Sequence, residues 1–109
     1  MPLNVPAVVA EYLSAERAKD ASRLSLCFAE NGFVRDEGKE RRGRDAIRRW
    51  KEEVDAKYRY VSEPLAASVH ENTVTVGARL TGEFPGSPVD VSQVFTLDGG
   101  KIVSLEIHS

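Results

Sequence analysis

In the first half of the chain, apolar positions recur every three or four residues, a pattern typical of amphipathic helices. Asn4 can cap a first helix, with Pro6 in its first turn. The inward stripe of this helix contains Val9, Tyr12, Leu13 and Glu16.

Two further helices are predicted. The second begins at its cap, Asp20, and ends at the Asn31-Gly32 pair. Its apolar positions are Leu24, Cys27 and Phe28. The third follows Gly43 and carries Asp45 in its first turn, where a carboxylate suits the positive helix end. Its stripe contains Ile47, Trp50, Val54 and Tyr58.

After residue 58 the period changes to strict alternation, which predicts strands. The first extends from Tyr60 to Val69, with Pro64 at a bulge or sheet edge. Turns at 71–72 and 98–100 and a loop at 84–88 separate three more strands, over 73–81, 89–97 and 102–108. The loop, Phe84-Pro85-Gly86-Ser87-Pro88, is equally compatible with a pocket rim and with a rigid hairpin connection.

This order of elements predicts an α+β fold, in which three N-terminal helices pack on one face of a mainly antiparallel sheet. We find no repeats, linkers or low-complexity segments, so residues 1–109 are expected to form one domain. In the last strand, either Ile102 or the row of Val103, Leu105 and Ile107 is expected to face away from the helices.

Composition narrows the function classes. The chain is 41% hydrophobic and 29% charged, as in ordinary globular proteins, and its net charge of −2 argues against nucleic acid or anionic membranes as partners. The sequence contains neither a membrane-spanning run nor a signal peptide pattern. One cysteine, Cys27, cannot form an internal disulfide, so we expect a cytoplasmic protein with an inert core thiol.

Asp36 is the best candidate for chemistry. It ends the short run Phe33-Val34-Arg35-Asp36, in which Val34 and Asp36 share one face of a strand. If Val34 packs inward, Asp36 enters apolar surroundings that raise its pKa and make it a usable base. His70 and His108 lie near a turn and the last residue, with no partner at metal spacing, so neither a metal nor a cofactor is expected.

Four stretches resemble the nuclear transport factor 2-like superfamily, in its SnoaL-like and ketosteroid isomerase-like branch. They read "AVVAEYLSA", "FAENGFVRDEG", "GRDAIRRW" and "FTLDGGKIVSLEI". The resemblance implies a cystatin-like roll, whose curved sheet wraps around the helices and leaves a conical pocket, and it implies homodimers formed through the outer sheet face. It is weaker evidence for an activity, because this fold carries isomerases, cyclases, hydrolases, dehydratases and non-catalytic binders.

The resemblance also implies site residues. Asp36 matches the general base of ketosteroid isomerase-like enzymes, and Tyr12 matches a tyrosine that donates a hydrogen bond to the substrate carbonyl oxygen. Gln93 stands where those enzymes have a protonated aspartate as the second oxyanion donor, and an amide is a weaker acid. From their inward phase we expect further pocket-lining residues: Val34, Trp50, Tyr58 and Phe95.

Two functions remain open at this point. One is a cofactor-free isomerase or cyclase that abstracts a proton next to the carbonyl of a small hydrophobic ligand. The other is a non-catalytic dimeric module that binds a small ligand or a protein partner in the same pocket. Val94, opposite in phase to Gln93 and Phe95, is the residue expected on the dimer face.

Overall fold

The structure, a computed structural model, describes residues 4–109. The helices are α1 (Ala7–Ala18), α2 (Ala21–Leu26) and α3 (Arg44–Lys57). The strands are β1 (Phe28–Asp36), β2 (Lys39–Arg42), β3 (Tyr60–His70), β4 (Thr73–Gly82), β5 (Val89–Asp98) and β6 (Lys101–His108).

All six strands form one mixed sheet in the order β2-β1-β6-β5-β4-β3. The pairs from β3 to β6 make the predicted antiparallel meander, and the register shift after Pro64 confirms the predicted bulge. β1 lies parallel to β6 and is the second strand from the β2 edge of the sheet. Because the β1–β2 hairpin precedes α3, only two helices are N-terminal to the sheet, which corrects the expected order of elements.

The predicted second helix is too long. Asp20 does cap it, accepting a hydrogen bond from the Arg23 backbone N–H at 3.1 Å, but the helix ends at Leu26. Phe28, Asn31 and Gly32 belong to β1, because pairing with β6 outweighs the local turn preference. A Cβ at Gly32 would lie 2.9 Å from the Ile102 carbonyl oxygen, so this glycine permits a close approach of two strands and does not end a helix.

Strand β2 was missed because its residues, Lys39 to Arg42, are all charged and show no apolar alternation. It is an edge strand, where charged side chains are common. A tight turn at Glu37 and Gly38, both with positive φ, joins it to β1. At the other end of the fold, Pro6 is the N-cap of α1, so Asn4 lies outside the helix that it was expected to cap.

The core lies between the helices and the inner face of the sheet. Ile102 and Leu105 are both fully buried, although their spacing is odd. A register shift opposite Thr96 and Leu97 makes Val103 an extra residue, which brings both side chains to the same face. The expectation that one of the two rows faces away from the helices is therefore wrong.

Candidate functional site

A cavity of about 910 Å³ opens between α3, the inner sheet face and the loop that joins β4 to β5. Apolar walls are formed by Val54, Leu80, Val89, Val91 and Ile107. At the mouth, Tyr58 packs edge-to-face on Phe84, with 6.2 Å between ring centroids, and Pro85 and Gly86 complete the rim. The loop whose role the sequence left open is therefore part of the cavity entrance.

Asp36 lies in the cavity wall at the end of β1 and is half-buried. The indole N–H of Trp50, on the facing side of α3, donates a hydrogen bond to its carboxylate at 3.3 Å. Burial raises the pKa of Asp36 above the ordinary 3.8, and the Trp50 hydrogen bond opposes this rise without cancelling it. The carboxylate thus combines access to the cavity, a defined orientation and increased basicity.

The floor of the cavity is polar and buried. Lys51, only 1% exposed, extends from α3 and donates a hydrogen bond to the Tyr60 hydroxyl on β3. Its ammonium lies 3.1 Å from the Asp55 carboxylate and 3.8 Å from that of Glu16 on α1. Four ionisable groups therefore converge from α1, α3 and β3, and three of them, Glu16, Lys51 and Tyr60, border the cavity.

The pKa values of Glu16 and Lys51 are both raised, the first by burial and the second by its neighbours. Desolvation raises the pKa of Glu16 above its ordinary value, and the neighbouring Lys51 only partly opposes it. Burial by itself would lower the pKa of Lys51, but attraction by Tyr60, Glu16 and Asp55 outweighs that effect and raises it. Lys51 therefore stays a cation at neutral pH, whereas Glu16 holds its proton more tightly than an exposed glutamate.

The two expected oxyanion donors lie at different depths. Gln93, 2% exposed, borders the cavity, and its Oε1 finds no hydrogen-bond partner among residues 4–109. Tyr12 is fully buried, packed edge-to-face against Phe28 and Phe95 at centroid distances of 6.1 and 5.1 Å. Its hydroxyl also lacks a partner within the described chain, and burial raises its pKa well above 10.0.

Of the remaining predicted pocket residues, some line the cavity and others lie in the core. Trp50 and Tyr58 line the cavity together with Asp36 and Gln93. Val34 and Phe95 are fully buried and belong to the core beneath the cavity, as Tyr12 does. Inward phase in a strand or helix identifies the covered face, but it does not separate the core from the cavity wall.

Sequence reasoning did not identify Glu16, Lys51 and Tyr60 as site residues. A signal was present, since Glu16 falls on the apolar stripe of α1, four residues after Tyr12, and Lys51 follows Ile47 at helical spacing. A charged residue on an inward stripe requires a partner. Glu16 and Lys51 lie on different helices, 35 residues apart along the chain, so their pairing is visible only in the structure.

Of the other candidates, Cys27 and His70 lie outside the cavity lining and His108 borders it. Cys27 is buried, its S–H donates to the Arg23 carbonyl oxygen at 3.6 Å, and burial raises the thiol pKa. His70 is exposed, and His108 lies at the cavity edge. Over residues 4–109, no three His, Cys, Asp or Glu side chains are arranged to hold a metal ion. No helix in that range is long and apolar enough to cross a bilayer.

Solved structures similar to this one include catalytic and uncharacterised proteins. A proposed polyketide cyclase from Sinorhizobium meliloti superposes with a TM-score of 0.93 and is 38% identical, over 96% of each chain. SalBIII, described as an epoxide hydrolase/cyclase-like enzyme in pyran ring formation in salinomycin, gives 0.78 and 27%, over 93% of this chain and 86% of its own. A protein with a ketosteroid isomerase-like fold from Catenulispora acidiphila gives 0.86 at 23% identity, over 97% and 87%, which is a likeness of fold.

A search of the curated proteins finds no match. The family model of the SnoaL-like domain, in contrast, matches residues 9–105. This range includes all three helices and all six strands except the first two residues of α1 and the last three of β6. With this match and the shared fold, the chain belongs to the SnoaL-like family of the nuclear transport factor 2-like superfamily.

Proposed function

We propose that the protein is a cofactor-free enzyme that removes a proton next to the carbonyl group of a small, largely apolar compound, with Asp36 as the general base. The observation that carries this proposal is the Asp36 carboxylate in the cavity wall, held by Trp50 and raised in pKa by burial. A base works best when its pKa lies near the working pH and its geometry is defined. The product is an isomer or, when the enolate attacks a second carbonyl of the same molecule, a ring.

The cavity suits such a ligand in size and in polarity. Its volume of about 910 Å³ falls in the range of roughly 300–1,000 Å³ found for small-molecule sites. Apolar walls lie between Asp36 and the polar floor, and Glu37 and Glu53 add two further carboxylates to the lining. The apolar part of the cavity favours a compound with a polar end and an apolar body. The similarity to a proposed polyketide cyclase and to the cyclase-like SalBIII supports ring formation on a small molecule as a reaction of this family.

Gln93 and Tyr12 are the proposed donors to the developing oxyanion. Gln93 is the donor that contacts the ligand oxygen directly, because it borders the cavity and its amide can donate a hydrogen bond. Tyr12 lies one layer deeper, with its hydroxyl unsatisfied among the residues described. We expect Tyr12→Phe to slow the reaction by about 10²-fold, less than loss of the base does, because it removes one of two oxyanion donors.

Exchange of the α-protons of 2-tetralone in deuterium oxide, followed by NMR, tests the role of Asp36. Wild type should accelerate exchange, and Asp36→Asn should remove about 10²- to 10⁴-fold of that acceleration, since the isostere keeps the shape and discards the base. Asp90→Asn is the matched control, because Asp90 is an exposed strand carboxylate outside the cavity. Equal exchange rates for wild type and Asp36→Asn would contradict the proposal.

The rival function, a non-catalytic binding module, makes the opposite prediction for the same experiment. A module would bind 2-tetralone without accelerating exchange, and Asp36→Asn would alter binding only. The raised pKa of Asp36 favours the enzyme, because a binding site gains nothing from a more basic carboxylate.

We further propose that two copies pair through the outer face of the sheet. Val94 lies on this face, half-buried, opposite to Gln93 and Phe95 on the same strand. Val61 on β3 adds a side chain that is 65% exposed. Apolar burial contributes about 25 cal/mol per Å² before the entropy of association is subtracted, so an interface of a few hundred Å² gives a gross gain of several kcal/mol.

A further inference from the structure

Glu16 is a buried carboxyl group that the mechanism above does not use. Its side chain is 8% exposed, yet it borders the cavity beside Lys51. A glutamate on the inward stripe of a helix is costly to bury unless it is paired or protonated. Its position at the cavity surface gives it access to whatever the cavity binds.

The two lysines near Glu16 and Asp55 compensate the two carboxyl groups unequally. Asp55 lies between two ammonium groups, with Lys51 at 3.1 Å and Lys19 at 3.9 Å. Glu16 has only Lys51 within ion-pair distance in the described structure, at 3.8 Å, and it shares that cation with Asp55. Of the two carboxyls, Glu16 is therefore the one whose charge is less compensated by neighbouring cations.

Groups from every neighbouring element face this carboxyl. They are Tyr12 on α1, Lys51 and Asp55 on α3, Tyr60 and Ser62 on β3, and Gln93 on β5. Lys51 is the cation among them, and Asp55 adds a repulsive charge that favours the protonated form. Tyr12, Ser62 and Gln93 are neutral and each has one buried polar atom with no partner in residues 4–109. Gln93 and Ser62 lie close enough to the Glu16 carboxyl to favour its charged form, and the burial of this carboxyl outweighs them.

We propose that Glu16 is a second acid–base residue, which donates its proton to the carbonyl oxygen of the bound ligand while Asp36 removes the proton from the neighbouring carbon. This inference rests on the proposed function and specifies the ligand further, as a ketone whose oxygen reaches the polar floor. It also explains how weakly acidic ketones can react although Gln93 replaces a stronger acid, because a neutral enol forms in place of a free enolate.

The step is balanced without any co-reactant. The carbon–hydrogen bond breaks, its proton passes to Asp36, and its electron pair forms the carbon–carbon double bond of the enol. The carbonyl oxygen gains the proton of Glu16, and the new carboxylate lies beside the Lys51 ammonium, which stabilises it. Return of the protons in the reverse sense, at the same or another carbon, gives exchange or isomerisation. Lys51 is a positioning residue in this scheme and does not react.

The test is the pH dependence of 2-tetralone exchange in wild type, Glu16→Gln and the control Glu11→Gln, an exposed glutamate on the same helix. Wild type and Glu11→Gln should give bell-shaped profiles, rising as Asp36 loses its proton and falling as Glu16 loses its own. Glu16→Gln should lose the falling limb and about 10²-fold of the maximal rate. A falling limb that persists unchanged in Glu16→Gln would overturn the inference.

A carbon-13 NMR titration of the side-chain carboxyls provides a readout that needs no turnover. The Glu16 signal, assigned by its absence in Glu16→Gln, should titrate above the ordinary 4.5 and higher still in Lys51→Met. A midpoint at or below 4.5 would refute the role of Glu16 as an acid. Failure of the proposed function is distinguishable, because it appears as full activity in Asp36→Asn, whatever the titration of Glu16.

Discussion

Replacing Lys51 by methionine tests the central electrostatic feature of the fold. Methionine has nearly the same length and no charge, so Lys51→Met removes the cation with little change in packing. Lys51 is 1% exposed and lies 3.1 Å from Asp55 and 3.8 Å from Glu16. Its loss leaves one of two buried carboxylates without any cation within ion-pair distance in the described structure, since Lys19 approaches only Asp55.

Removing one partner of a buried ion pair typically costs about 3–5 kcal/mol. Because Lys19 still compensates Asp55, we expect the lower end, about 3 kcal/mol at neutral pH. The pH dependence has a definite sign. A carboxyl whose pKa is raised on folding contributes stability below its unfolded pKa and loses it as pH rises through the folded pKa. The raised pKa of Glu16 therefore makes the deficit of the variant small near pH 4 and large at neutral pH.

Urea unfolding of wild type, Lys51→Met and the Glu16→Gln/Lys51→Met double variant, at about pH 4 and about pH 7.5, measures these differences. The double variant should recover about 1–2 kcal/mol relative to Lys51→Met at the higher pH, as coupled residues do. Lys57→Met, an exposed lysine at the end of the same helix, should leave the midpoint nearly unchanged. A pH-independent deficit, or no recovery in the double variant, would refute the account of the cluster.

Three other expectations follow from single contacts. Trp50→Phe removes the hydrogen bond that lowers the pKa of Asp36, so the rising limb of the exchange profile should move to higher pH; an unmoved limb would contradict the contact. Gly32→Ala forces a Cβ to 2.9 Å from the Ile102 carbonyl oxygen and should cost about 1–3 kcal/mol in urea unfolding. Val94→Asp should weaken the proposed dimer in sedimentation, whereas a wild-type species of 12.0 kDa at high concentration would reject that dimer.

The sequence alone was sufficient for the features that depend on local periodicity. The stripe of α1, the alternation of β4 and β5, the Asp20 cap and the turns at 71–72 and 98–100 are all encoded within a few residues of one another. Such patterns report which face of an element is covered, because burial of apolar side chains is the main driving force of folding. The stretch of α1 and the stretch from β5 to β6 also carry part of the resemblance to the family.

Only the tertiary structure decided the features that depend on distant partners. Residues 28–32 read locally as the end of a helix, but they belong to a strand that pairs with β6, about seventy residues later, at Phe28 and again from Phe33 to Arg35. β2 has no apolar alternation and exists because it pairs with β1.

The site shows the same division. The inward phase of Gln93 and Trp50 correctly predicted that they line the cavity. The same reasoning predicted that Tyr12 lines it, but Tyr12 is fully buried and does not border it, because periodicity specifies the direction of a side chain and not its depth. The local sequence pattern could not predict the buried ion pair of Glu16 and Lys51 for a further reason. Each charge alone is unfavourable on an apolar stripe, and it is the approach of two helices across the core that makes the pair stable.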